Sequence, residues 1–521
     1  MPSRNLVNLD AMILRADFAT QPDEQGLVHS IESIGLRDLT QGSLLLPILR
    51  KPDFQRETNH WSAEQVASLL ECFVNGDLIP SVILWKSPLH LFVIDGGHRL
   101  SVLRAWIEDD FGDGSLSQEF FGYDIGKEQK RIAKRTRALV EDRVGKYARI
   151  SAQLQQPGLP DDARRKLTGV ASRALPIQWV SGDAEKAESS FFKINTEGTP
   201  LDDIEELLLR NRQRPIAIAA RAVIRAGKGH KYWSAFSPEV ADRIEETASN
   251  LHQTLFEPEL DRPVKTLDLP LGGSKGVRTA LQVLIDFMLI ANRNQQGKPS
   301  RLQDQEIDLD GNATIDVLMQ SLRLAGWITG NTNGSLGLHP AVYFYGPSGI
   351  HSGPMFMGTV GLIGRKLSNN DTNFFRKLTD VRAKLEESLV NQKDLIATIL
   401  QRQISPKRNK LYESLLESLI ERLLIGEAVT EDWLVEAAGV KGKVLTGHAK
   451  TETVAFSENV KSHAFISNAL KGALRCNICS GYIDSEKSMS YDHDKRKREG
   501  GTGDVDNITL THPYCNQAKK N

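Results

Sequence analysis

The sequence predicts an α/β domain at the front, a mainly α-helical middle and a small metal-stapled module at the end. Three observations carry that division. Between Leu44 and Trp106 short apolar runs alternate with helix-patterned segments, the mark of an α/β unit. From residue 215 to 330, and again from 369 to 426, the apolar period is helical. Three of the four cysteines, Cys476, Cys479 and Cys515, crowd the C-terminal end. A chain of 521 residues has room for about three domains at roughly 100–200 residues each. The boundaries read as 30–210, 211–440 and 462–521.

The front domain opens with LLLPIL (44–49), an apolar run that reads as a strand. Ser62 and Gln65 form a capping-box signature ahead of Val66, Leu69, Leu70 and Phe73, which share one helix face. The helix stops at Asn75-Gly76-Asp77, and SVILW (81–85) and LFVID (91–95) follow as strands. A second helix carries Leu100, Leu103, Trp106 and Ile107 on one side. At its start stand Asp95, Gly96, Gly97, His98 and Arg99. Glycines at a strand-to-helix junction let backbone N–H groups approach a phosphate, and Arg99 has the fork that phosphate oxygens accept. Asp95 suits a divalent ion or a ribose hydroxyl. Residues 126–149 hold nine Lys or Arg against three acidic residues, which reads as a solvated helix face or as a nucleic-acid contact.

After LPIQWV (175–180), another strand, helices dominate. The apolar stretch from Ala280 to Asn292 contains Asp286 and reads as a core helix. Stripes at Leu378, Val381, Leu385 and Leu389, and at Leu411, Leu415, Leu419 and Leu423, read as bundle core. His339, Tyr343 and Tyr345 alternate in spacing and read as a half-buried strand, with a base pocket as the sharper alternative.

The strongest chemical signal is C-terminal. Cys476-x2-Cys479 is a zinc half-site, because two thiolates two residues apart can grip one tetrahedral ion from a tight turn, and His512-x2-Cys515 is the matching half. A module this poor in apolar residues needs such a staple. Reduced cysteines in a small core are the plainer reading. Between the halves come Asp492-His493 after the strand-like SMSY, then Gly500-Gly501, Asn507 before the apolar ITL, and Asn516 directly after Cys515. Hydrolysis of a phosphodiester needs an activated water and neutralisation of developing charge; a neutral imidazole serves the first, and Mg2+ held by oxygen donors serves the second. Lys495, Arg496, Lys497 and Arg498 beside the histidine would set positive charge against DNA phosphates.

This order resembles the HNH endonucleases of the ββα-metal type in their zinc-stapled form, over about residues 470–521. The resemblance implies that His493 is the general base, that Asn507 braces the loop holding it, and that Asp492 and Asn516 hold a catalytic Mg2+ or Mn2+. His512 stands where a cysteine is commoner in that family, which leaves either ion open to it, and Asn516 stands where a histidine is often found. PDFQR (52–56), IDGGHRL (94–100), FFKINTEGTPL (191–201) and GLHPAVYFYGPSG (337–349) in turn resemble the ParB-like domain, usually signed DGQQR, found at the front of modification-dependent restriction and anti-phage proteins. That resemblance implies a nucleotide-responsive module with Gln55, Arg56, Asp95, Gly96, Gly97, His98 and Arg99 at its site. It allows nucleoside-triphosphate hydrolysis as a further activity.

The near balance of 65 basic and 66 acidic residues excludes a uniformly basic coat protein, so any nucleic-acid surface is regional. The N-terminus lacks a signal-peptide pattern and no 18-residue apolar run exists, so a cytoplasmic chain with no membrane partner is expected. The expected function is a metal-dependent DNA endonuclease under nucleotide or DNA-modification control, acting in prokaryotic anti-phage restriction. Its partners would be DNA, modified or not, and a nucleoside triphosphate; a homo-oligomer is compatible with this. The alternative is a nucleotide-switched DNA-binding protein whose zinc module is inactive.

Overall fold

The computed structural model describes residues 6–18, 31–55, 58–154, 160–197, 203–228, 231–273, 277–293, 301–440 and 455–519. The chain divides into two units, Met1–Arg212 with Lys228–Tyr232, and Gln213–Gly227 with Trp233–Asn521.

The first unit is built on a six-stranded mixed sheet. Its strands run in the order Arg15–Ala16, Leu49–Pro52, Leu91–Asp95, Val82–Lys86, Ala174–Trp179 and Ser33–Gly35. Val82–Lys86 is antiparallel to Leu91–Asp95 and parallel to Ala174–Trp179. Leu91–Asp95 is buried at its first four positions, as a strand covered on both faces must be. Helix Ala63–Asn75 starts where the sequence places it: Ser62 accepts from the Gln65 backbone, and the Gln65 side chain accepts from the Ser62 N–H at 2.9 Å. Its buried Val66, Ala67, Leu70 and Phe73 join the sheet's core.

LLLPIL departs from expectation. Residues 44–48 form bends and turns and the strand begins only at Leu49. Pro47 has no N–H for a ladder, and the backbone closes locally instead, with Ile48 and Leu49 N–H both donating to the Leu45 carbonyl. Leu45, Leu46 and Ile48 still pack on the core, but from a turn.

The basic stretch is a helix, Lys127–Arg143, that buries Ile132, Ala133, Thr136 and Val140. Three of its seven basic side chains form ion pairs: Arg131 with Glu128 at 2.6 Å, Arg135 with Glu64 at 2.6 Å and Arg137 with Asp109 at 3.0 Å.

The second unit is mainly helical and ends in a two-stranded antiparallel ribbon, Ser490–His493 with Ile508–Thr511. Helices Gly353–Ser368, Thr372–Asn391 and Ser405–Leu424 pack together, and the Leu378, Val381, Leu385 and Leu389 stripe is buried as its period requires. The strand expected at His339–Tyr345 is instead a short helix, Pro340–Tyr343. His339 caps it by accepting from the Ala341 N–H at 3.2 Å, and Pro340 fits the first helical position. Among the described residues no helix is long and apolar enough to cross a membrane.

Candidate active site

The terminal module has almost no apolar core. Its buried cluster is Cys476, Cys479, Ile483 and Cys515, with Ile478, Met489 and Leu510 against it. The cysteine sulfurs take the place that leucines hold elsewhere. The turn between the first two is tight, with Ser480 N–H on the Cys476 carbonyl at 2.8 Å and Cys476 N–H on the Gly481 carbonyl at 2.9 Å. His512 follows the second ribbon strand, and the chain then turns so that Cys515 points back at the same centre. The four ligand atoms lie within 4.8 Å of one another, and all four residues are buried. The thiols are unlinked.

His512 Nε2 is 2.8 Å from the Tyr482 carbonyl, so it donates there and leaves Nδ1 as the lone-pair donor. A carbonyl that takes the far N–H of an imidazole fixes its tautomer and leaves the other nitrogen free to ligate a metal. The His512 Nδ1 thus lies among the cysteine sulfurs, 3.3 Å from Cys479 Sγ and 3.8 Å from Cys515 Sγ. Three sulfurs and one imidazole nitrogen suit a tetrahedral ion such as zinc.

The ribbon carries the other set. Asp492 pairs with Thr509 and His493 with Ile508. Alternation places Ser490 and Asp492 on one face. Asn516 lies on that same face, its Nδ2 donating to Ser490 Oγ at 2.8 Å and to the Tyr491 carbonyl at 3.1 Å. With Nδ2 engaged, Oδ1 is the atom Asn516 has for a cation. His493 is the last residue of its strand, where the chain leaves the ribbon, so the following loop sets its direction.

Asn507 holds that loop from across the ribbon. Its Oδ1 accepts from Lys495 N–H at 2.6 Å, its Nδ2 donates to the carbonyls of Lys495 at 3.1 Å and Thr502 at 2.7 Å, and its own carbonyl accepts from Asp494 N–H at 3.1 Å. Gly501 explains the glycine pair: a Cβ there would stand 1.8 Å from the Lys495 carbonyl oxygen. Lys495, Lys497 and Arg498 face solvent on this loop, and Arg496 is half-buried.

In the first unit the strand-to-helix junction collects most of the other expected residues. Gly96 takes φ +94°, which ends the strand and starts helix Gly97–Glu108. Gln55 packs on Gly97, its Oε1 3.1 Å from where a Cβ would sit and without a hydrogen-bond partner. The His98 ring stacks on Trp61 at 5.5 Å. Arg99, expected to reach a phosphate, pairs with Asp95 at 2.5 Å and with the Ser81 carbonyl at 3.0 Å. Arg56 lies outside the described residues.

Comparison with known families completes the picture. Residues 36–212 match the GmrSD restriction endonuclease, N-terminal domain, and residues 476–521 match the HNH endonuclease family. The chain is a DNA endonuclease of the restriction type. No curated protein and no solved structure matches it. The GmrSD-type match takes in four of the sheet's six strands and the Gln55–Gly97 junction, and the HNH match begins at the first zinc-type cysteine and takes in the whole ribbon.

Two features of the GmrSD-type domain had no sequence signal. One is Trp61, on which the His98 ring stacks. The other is Lys51, fully buried and bonded to Asp10 Oδ1 at 3.0 Å and Thr58 Oγ1 at 2.8 Å, while Asp10 Oδ2 takes Arg15 at 2.5 Å.

Proposed function

We propose that the HNH module cleaves DNA with His493 as general base and an oxygen-ligated divalent ion, Mg2+ or Mn2+, at Asp492 and Asn516. A Cys476, Cys479, His512 and Cys515 zinc centre serves as its fold-holding staple. The observation that supports this reading is the threefold grip of Asn507 on the loop that follows His493, as a positioned base requires. The neutral His493 imidazole accepts a proton from water as the water oxygen bonds to phosphorus and the bond to the leaving oxygen breaks. The ion supplies charge neutralisation at the phosphate oxygens. Among the described residues there is no second cluster of three His, Cys, Asp or Glu donors. A shell completed by water and DNA phosphate is how Mg2+ is commonly held. Lys495, Arg496, Lys497 and Arg498 line the backbone's path.

The GmrSD-type domain acts as the control element, taking a nucleoside triphosphate at the Gln55, Arg56, Asp95, Gly96, Gly97, His98 and Arg99 junction, with modified DNA as the signal. The glycine-started helix and the buried, unpartnered Gln55 Oε1 support a ligand there. For a phosphate to reach Arg99, the Asp95 pair must open.

The test is plasmid nicking after chelation that removes weakly held ions and leaves zinc, with Mg2+ or Mn2+ then returned, with and without nucleoside triphosphates. Activity should return with the ion, and Asp492→Ala should need at least about tenfold more of it. Nicking without any divalent ion, or an unchanged ion requirement in the variant, contradicts the assignment. Indifference to nucleotide on every DNA tested contradicts the control role.

A further inference from the structure

Arg382 and Glu386 lie far from the cysteines in sequence, one turn apart on helix Thr372–Asn391. In sequence they look like an exposed i,i+4 pair; in the structure their side chains are 2% and 0% exposed. Burying two charges is costly unless each is paired and fully bonded. Here each is. Arg382 Nε donates to Glu386 Oε1 at 2.7 Å, Nη2 to the Gly337 carbonyl at 2.8 Å and Nη1 to the Leu336 carbonyl. Glu386 also accepts from Tyr343 Oη at 3.1 Å and, through Oε2, from the Tyr482 N–H at 2.6 Å.

Both side chains thereby reach the zinc-type turn. The Tyr482 peptide that donates to Glu386 accepts His512 Nε2 on its carbonyl side. One short chain of bonds thus runs from Glu386 through a single residue to a metal-ligand imidazole. Arg382 lies against Gly481, where an added Cβ would meet its Nε at 2.7 Å. Burial disfavours the Arg382 cation, but Glu386 beside it acts the other way, and the net effect raises its pKa. The nearby buried cation Lys393 behaves differently: burial lowers its pKa to about 7.

A zinc ion with three thiolates and one neutral imidazole carries one net negative charge. Left buried without a cation, that charge would weaken the site. We propose that Arg382 is the counter-cation of the Cys3His zinc centre, and that with Glu386 it forms a positioning pair through which the helical region holds the nuclease module's metal turn. This rests on zinc occupying the four-residue cluster.

The experiment uses the full-length chain loaded with Co2+ in place of zinc, reading the thiolate-to-cobalt charge-transfer band and the rate of metal loss to a chelator. Arg382→Gln combined with Glu386→Gln removes both charges together, so no lone carboxylate stays buried. Arg382→Lys keeps the charge and loses the fork. The double variant should bind metal about 10- to 100-fold more weakly, the range for lost outer-shell partners. Arg382→Lys should recover most of that loss. Metal affinity of the double variant within twofold of the parent overturns the proposal, as does equal loss in Arg382→Lys, which would assign the effect to hydrogen bonding alone. A double variant without its helical circular dichroism would place the pair's role in the helical region and overturn it too. If the parent chain shows no thiolate-to-cobalt band, the zinc reading itself fails and this proposal with it.

Discussion

Replacing Asn507 by alanine removes three hydrogen bonds from the loop that follows His493, to Lys495 N–H, the Lys495 carbonyl and the Thr502 carbonyl. A hydrogen bond is worth about 0.5–1.5 kcal/mol net, and these lie near solvent, so the lower half of that range applies. The sum is about 1.5–3 kcal/mol of loop order. If His493 acts only from the ordered loop, that becomes a loss of about 10- to 150-fold in the cleavage step. DNA affinity should change less than cleavage, because Lys495, Lys497 and Arg498 keep their charge and can meet phosphates from a loosened loop, and metal binding at the cysteines should be unaffected. Single-turnover nicking of supercoiled plasmid, beside a binding titration, separates the two. Asn507→Asp sharpens the test: it keeps the acceptor for Lys495 N–H but sets a carboxylate against two carbonyl oxygens, so it should be no better than alanine. Cleavage by Asn507→Ala within twofold of the parent would refute the bracing role.

Other outcomes follow from the same geometry. Gly501→Ala should lower nicking at least as much as Asn507→Ala, since the added Cβ meets the Lys495 carbonyl at 1.8 Å and the loop must move; parent-like activity would show the loop does not position the base. Cys515→Ser, or prolonged strong chelation, should unfold the nuclease module, because cysteines make up most of its buried core; limited proteolysis near the ribbon should then appear, and continued resistance would count against the staple. Burial lowers the Lys393 pKa to about 7, whereas an unfolded lysine keeps its proton to about 10.4. The unfolded state therefore binds more protons between those values, and stability should rise with pH across that window by about 1–2 kcal/mol from pH 7 to 9. Lys393→Met should flatten that rise in denaturant titrations; parallel curves for parent and variant would contradict it.

What the sequence made legible was local. The Ser62 and Gln65 capping box, the strands at 82–86 and 91–95 and the two x2-spaced metal halves each depend on residues a few positions apart, so their pattern survives in one dimension. LLLPIL and the His339–Tyr345 stretch misled for a local reason as well: proline within each removes a ladder donor and favours a turn or a helix start. Contacts between distant segments left no trace. Asp10 with Lys51, and Glu386 with Tyr482, bring together residues from separate parts of the chain, and nothing in the spacing of Arg382 and Glu386 tells a buried pair from a solvated one.

The most direct test of the central claim is plasmid nicking by the parent chain and by His493→Ala, with Mg2+ or Mn2+ present and DNA binding measured in the same samples. The account predicts that the parent converts supercoiled plasmid to cut forms while His493→Ala binds DNA normally and leaves the plasmid intact. Cutting by His493→Ala at the parent's rate would contradict it.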